Sequence, residues 1–116
     1  MTGSKTCSEH FKQLQVCVII PTYNNESSLA GVIEDVASYC NDIIVVNDGS
    51  TDRTKSIIES FSNVQLISYE KNMGKGWALR KAFAYAIEKG FQYAITIDSD
   101  GQHYAKDLPV FIEKLK

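Results

Sequence analysis

Four short apolar runs, separated by stretches with helical spacing, constrain this chain more than any other feature. Val16 to Ile20, Ile43 to Val46, Val64 to Ile67 and Tyr93 to Ile97 are β-branched or aromatic-rich and mostly lack polar alternation. That is the pattern of strands covered on both faces, so they read as central parallel strands. Between them, Leu29, Val32, Ile33, Val36 and Ala37 recur at helical spacing, as do Ile57, Ile58 and Phe61, and then Leu79, Ala82, Phe83, Ala86 and Ile87. Each set predicts a crossover helix. Asp52 puts a negative charge near one helix start, and Gly90 suits a C-terminal cap. Asp107 before Leu108-Pro109 predicts a last helix with Leu108, Phe111, Ile112 and Leu115 on one face. The order βαβαβαβα predicts an α/β fold: an open, doubly wound parallel sheet in a three-layer αβα arrangement.

The 116 residues, 44% hydrophobic and 22% charged, fit one globular domain. Residues 15–116 carry the pattern, while residues 1–14 show no clear periodicity and read as an arm, a tag or a short helix. A net charge of -2 with scattered Lys and Arg argues against nucleic acid as a partner. Cys7, Cys17 and Cys40 are odd in number and lack metal-type spacing, which favours a reducing, cytoplasmic location, with Cys17 a small core hydrophobe. No apolar stretch approaches the ~20 residues that a membrane span needs, and the first fifteen lack a hydrophobic signal core.

In such sheets ligands bind beyond the carboxyl ends of the strands, where strand order reverses. If the order is 3-2-1-4, the loops after the first and fourth strands flank that crevice and the loop after the second lies beside it. The first loop, Pro21-Thr22-Tyr23-Asn24-Asn25-Glu26, contains no glycine, which effectively excludes a Gly-x-Gly-x-x-Gly site for NAD or FAD. Its plain alternative is an ordinary turn capped by Asn25 or a neighbouring serine. In the second, Asn47-Asp48-Gly49-Ser50-Thr51-Asp52, the Asp48 carboxylate can accept from a nucleobase N–H or a ribose hydroxyl, although Asp-Gly is equally a turn signal. The third, Asn72-Met73-Gly74-Lys75-Gly76, offers a lysine and small residues at a helix start, a phosphate-binding arrangement that is not a P-loop; a solvated Lys75 is the rival. After the fourth strand, Asp98-Ser99-Asp100 sets two carboxylates two residues apart, pointing the same way on extended backbone. Hard divalent cations prefer such oxygens, and Mg²⁺ is usually held by one or two carboxylates plus substrate phosphates.

Residues 18–26 (Val-Ile-Ile-Pro-Thr-Tyr-Asn-Asn-Glu), 44–52 (Ile-Val-Val-Asn-Asp-Gly-Ser-Thr-Asp), 72–76 (Asn-Met-Gly-Lys-Gly) and 98–103 (Asp-Ser-Asp-Gly-Gln-His) together resemble glycosyltransferase family 2. The last motif is most similar to the dolichyl-phosphate and polyprenyl-phosphate sugar transferases. The resemblance implies the GT-A fold and transfer of a sugar from a UDP- or GDP-linked donor to a lipid-phosphate or glycan acceptor, at the cytoplasmic face of a membrane. It implies that Pro21, Thr22, Tyr23, Glu26 and Asp48 surround the base and ribose, with Lys75 and Ser99 nearby. Asp98 and Asp100 would hold Mg²⁺ or Mn²⁺ on the diphosphate, joined by Gln102. Family members often have two acidic residues where this chain has Asn47-Asp48. They also carry acceptor contacts after the Asp-x-Asp motif, so the chain is expected to be the donor-binding part of a larger enzyme; a non-catalytic nucleotide-sugar-binding module is the alternative. A haloacid dehalogenase-type phosphatase also uses Asp-x-Asp-Gly, but on its first strand. A sugar nucleotidyltransferase needs a glycine-rich loop after the first strand. His103 is expected to be a loop residue, and Trp77 and Tyr85 to be packing residues.

Overall fold

The computed structural model describes residues 3–99 and 105–115. In chain order the elements are α1 (Gly3–Leu14), β1 (Val16–Thr22), α2 (Leu29–Ala37), β2 (Ile43–Asp48), α3 (Thr54–Glu59), β3 (Val64–Tyr69), α4 (Lys75–Glu88), β4 (Tyr93–Thr96) and, after a 3₁₀ turn at Ala105–Asp107, α5 (Leu108–Leu115). The strands form one parallel sheet in the order β3-β2-β1-β4. Order therefore reverses at β1, and the loops after β1 and β4 flank the reversal point.

Side-chain alternation along the two central strands divides the core. Val16, Val18 and Ile20 of β1, with Ile43 and Val45 of β2, meet Leu29, Val32, Ile33 and Val36 of α2, Ile58 of α3 and Leu108 and Ile112 of α5. Phe11 of α1, only 1% exposed, joins this layer, so the first helix is part of the folded unit. On the opposite face Cys17, Ile19, Ile44 and Val46 pack against Ala78, Ala82 and Ala86 of α4. The result is the three-layer arrangement.

Three expectations needed correction. β1 and β2 are buried throughout, whereas β3 and β4 are sheet edges whose residues are half-buried or exposed. Apolar runs alone did not separate central from edge strands. In α4 the stripe on the sheet is Ala78, Ala82 and Ala86, and Phe83 and Ile87 are 40% and 75% exposed. Alanines let a helix lie close against a sheet, and the larger residues one position on are rotated about 100° away. The other flank of α4 faces β3: Trp77 makes an edge-on contact with Tyr69 at 4.8 Å, and the Tyr85 hydroxyl donates to Gln65 Oε1 at 2.7 Å. Trp77 and Tyr85 are packing residues, as their positions implied. Phe111, expected on the buried face of α5, is 46% exposed.

Candidate functional site

Pro21 and Thr22 end β1 beyond the β1–β4 ladder, which stops at the Ile19–Thr96 pair. A proline is compatible with that position because its missing N–H faces no partner strand on the β4 side. There Ser99 takes over: its hydroxyl lies 2.7 Å from Asn25 Oδ1 and 3.1 Å from the Pro21 carbonyl oxygen, and its own carbonyl accepts from the Ser28 hydroxyl at 2.6 Å. The loop after β4 is thus tied to the loop after β1 by buried polar contacts. Asn25, which the plain alternative offered with a neighbouring serine as a cap, makes this seam together with Ser28. Ser28 is the N-cap residue, without a side-chain capping bond.

The loop after β1 is held equally to the loop after β2. Asn24 has φ +50, its N–H donates to Ser50 Oγ at 2.9 Å, and its Oδ1 accepts from Thr51 N–H at 2.8 Å. Asp52 accepts from the Thr54 N–H at 2.9 Å and from the Glu26 N–H at 3.3 Å. Desolvation pushes the Asp52 carboxyl upward, but its hydrogen bonds from Thr54, Glu26 and its own backbone outweigh it and hold the pKa below the ordinary value. Glu26 turns to the start of α3, where its carboxylate meets the Arg53 N–H at 3.2 Å and the guanidinium at 3.4 Å. It does not line the cleft described next.

A cleft of about 310 Å³ opens at the carboxyl end of the sheet. Pro21, Thr22 and Tyr23 line it from β1, Asp48 from β2, Lys75 from the start of α4, and Asp98 and Ser99 from the end of β4. Seven of the candidate site residues are therefore brought together. Asn25, Asn72, Gly74 and Ala78 also line it. Asn72 and Gly74 belong to the loop marked in the sequence for its lysine and small residues, which gave Asn72 no role. Asp100 and Gln102, with His103, lie outside the described residues.

The two described aspartates of the cleft stand in opposite states. Asp98 is half exposed, and Lys75 Nζ donates to its Oδ1 at 2.6 Å. Asp48 is 4% exposed and accepts from the Met73 N–H at 2.8 Å on Oδ1, and from the Gly74 N–H at 3.0 Å and the Asn72 amide at 3.1 Å on Oδ2. The Tyr69 hydroxyl beside it is buried without a hydrogen bond of good geometry among the described residues. Burial first, then the nearby Asp48 carboxylate, push its pKa far up. Among the described residues no three His, Cys, Asp or Glu side chains cluster as a metal cage. An open carboxylate at the cleft mouth still fits a hard divalent ion of the Mg²⁺ type, which takes few protein ligands when a substrate supplies phosphate oxygens.

The parallel α/β sheet with its cleft at the strand-order reversal is the fold of the GT-A glycosyltransferases. The chain belongs to glycosyl transferase family 2, whose family model matches residues 17–116. An uncharacterised protein of Methanocaldococcus jannaschii is 41% identical over 105 residues, covering 84% of this chain and 45% of the relative. A dolichyl-phosphate β-glucosyltransferase of Trichomonas vaginalis is 32% identical over 119 residues, covering 90% of this chain and 36% of the relative. The chain thus spans less than half the length of these relatives. The fold matches glucosyl-3-phosphoglycerate synthase from Mycobacterium tuberculosis, crystallised with Mn²⁺, UDP-glucose and phosphoglyceric acid, at a TM-score of 0.68 and 23% identity, over 97% of this chain and 42% of that one.

Proposed function

We propose that this chain is the donor-binding part of a glycosyltransferase that moves a sugar from a UDP- or GDP-linked donor to a polyprenyl or dolichyl phosphate. The observation that carries the reading is the juxtaposition of Asp98 and Lys75 at the mouth of a cleft whose inner wall is Pro21, Thr22 and Tyr23. Pro21, Thr22 and Tyr23 would flank the base and ribose. Lys75, as a flexible point charge at a helix start, suits a phosphate oxygen. Asp98, with Asp100 and Gln102 expected beside it, would hold Mg²⁺ or Mn²⁺. The ion would stabilise negative charge on the departing nucleoside diphosphate as its bond to the sugar breaks. Ser99 ties the loop bearing Asp98 to β1, so the carboxylate is held to the sheet rather than on a free loop.

A lipid-phosphate acceptor brings an anionic oxygen and needs no general base. The lipid acceptor is supported by the Trichomonas relative, a dolichyl-phosphate β-glucosyltransferase. No described helix is long and apolar enough to cross a membrane. Titration calorimetry with UDP and GDP, each with Mn²⁺ or with chelator, tests the donor site. Metal-dependent binding of one nucleotide is expected, and no binding of either would overturn the reading. Donor binding with neither transfer to polyprenyl phosphate nor hydrolysis would favour the non-catalytic module.

A further inference from the structure

The outer face of α4 has two properties that the donor cleft leaves unexplained. Residues 71–89 hold five basic side chains, Lys71, Lys75, Arg80, Lys81 and Lys89, against one acidic, Glu88, in a chain whose net charge is -2. With Ala78, Ala82 and Ala86 on the sheet, Arg80, Phe83, Ala84 and Ile87 recur at i, i+3, i+4 and i+7 on the solvent side. All four are exposed, Ile87 to 75%. Trp77, Arg80 and Lys81 line a shallow depression on the same helix, where the Lys81 ammonium stands 4.8 Å from the centre of the Trp77 ring. An outward apolar stripe bordered by basic and aromatic side chains is the composition of a helix that lies in a bilayer interface. The stripe alone would suit many partners; concentrated positive charge on a chain that is acidic elsewhere selects an anionic surface.

Resting on the lipid-phosphate reading of the acceptor above, we propose that the outer face of α4 docks the protein on an anionic lipid bilayer, with Arg80, Lys81 and Trp77 at headgroup level and Phe83 and Ile87 against the acyl boundary. The helix starts at the cleft, since its first residue, Lys75, stands 2.6 Å from Asp98. Its 14 residues make it about 21 Å long. Lying flat on the bilayer, it brings the cleft mouth to the level of the headgroups, where the phosphate of a lipid acceptor sits. Docking of this face therefore supplies approach and orientation, and the chemistry stays in the cleft.

Trp77 is the single tryptophan of the chain, so its emission reports this face alone. The probes are vesicles of phosphatidylcholine with about one-third phosphatidylglycerol, and of phosphatidylcholine only, without nucleotide or polyprenyl phosphate. Co-sedimentation should show binding to the anionic vesicles that weakens with salt, and Trp77 emission should shift to the blue and be quenched by brominated acyl chains. Each basic residue at such a surface is worth about fivefold, so Arg80→Gln with Lys81→Gln should weaken binding about 25-fold. Lys12→Gln with Lys55→Gln makes the same charge change at exposed positions of α1 and α3, in the layer across the sheet, and should stay within about twofold. Ile87→Gln should cost about tenfold. Equal losses from the two charge pairs, or binding that leaves Trp77 unquenched, would put the contact on another face and overturn the proposal. Absence of vesicle binding would overturn it too, and a dimer in sedimentation equilibrium that Ile87→Gln dissociates would then assign the stripe to a second copy. Because vesicle binding is read without nucleotide, a chain that binds vesicles but neither UDP nor GDP would remove the donor-site reading and leave the docking face standing.

Discussion

Gly49→Ala probes the close approach of β2 to the β3–α4 loop, and Gly90→Ala supplies its internal reference. Both glycines have positive φ, +71 and +87, so an alanine at either carries the left-handed penalty, about 1 kcal/mol. They differ in surroundings. Nothing lies within 4 Å of a Cβ on Gly90, whereas one on Gly49 would lie 2.4 Å from Asn72 N and 2.5 Å from Lys71 C. These are backbone atoms, so no side chain can swing aside. The loop must retreat by about 1 Å to reach ordinary contact, near 3.4 Å. That movement stretches the Met73 and Gly74 hydrogen bonds to Asp48, now 2.8 and 3.0 Å, past useful length. Hydrogen bonds to a charged group contribute about 1.5–3 kcal/mol each. Losing one or both adds about 1.5–6 kcal/mol to the φ penalty, against a total stability on the order of 5–15 kcal/mol. Urea unfolding followed by circular dichroism should therefore show Gly90→Ala about 1 kcal/mol below the parent and Gly49→Ala at least about 2.5 kcal/mol below it. Equal losses would mean that the close approach carries no energy and would refute the coupling between the two segments.

Three further outcomes follow from the site and the core. Lys75→Gln should tighten binding of Mn²⁺ alone by up to about fivefold, since an exposed ion pair is worth at most about 1 kcal/mol, while weakening the nucleoside diphosphate; spin-resonance titration without nucleotide reads the first, and an unchanged Mn²⁺ affinity would count against Asp98 as its ligand. The depressed pKa of Asp52 means stability present above the unfolded value near 3.9 and lost as pH falls through the lower folded value, so the deficit of Asp52→Asn at neutral pH should shrink in the acid range of urea titrations. Burial first, then the Asp42 carboxylate, push the Cys17 thiol from 9.0 up to about 11. The folded state therefore keeps this proton longer, stability falls between these values as pH rises, and Cys17→Ala should flatten that part of the profile; alkylation of Cys17 at pH 8 should track unfolding.

The strands and their parallel direction were legible because β-branched runs alternate with helical periods; the order 3-2-1-4, only a condition in the sequence, is the observed one and accounts for the cleft. What periodicity did not supply was depth. The same period in α4 contains two adjacent stripes, Ala78-Ala82-Ala86 and Leu79-Phe83-Ile87, and hydrophobicity favours the larger side chains. Close approach to the sheet favours the alanines. Trp77 and Tyr85 fix the helix against β3, and Phe83 and Ile87 of the larger stripe are left exposed. A short helix was one of three readings of the first fourteen residues for a related reason: Phe11 is buried in a layer that includes Leu108 and Ile112 of α5, nearly a hundred residues away.

The site was legible as a set of loops but not as a division of labour, and Asp48 and Asp98 show why. Each is an aspartate where a strand runs out, and the sequence offers no reason to treat them differently. Strand order separates them. β2 lies between β1 and β3, so Asp48 opens beside the loop leaving β3, and that loop turns its N–H groups onto the carboxylate. β4 is the sheet edge among the described residues, so no described strand on its outer side sends a loop over Asp98, and a mobile lysine is its counter-ion. A carboxylate neutralised by backbone donors cannot exchange them for a ligand without moving the chain, whereas one paired with an exposed lysine can do so by a rotamer change. Ligand exchange therefore falls to the edge aspartate, while the interior one, held by three loop donors, keeps its remaining acceptor position for the cleft. The two Asp→Asn variants should separate accordingly: Asp98→Asn should lose metal-dependent nucleotide binding with little change in the urea midpoint, and Asp48→Asn should lower both.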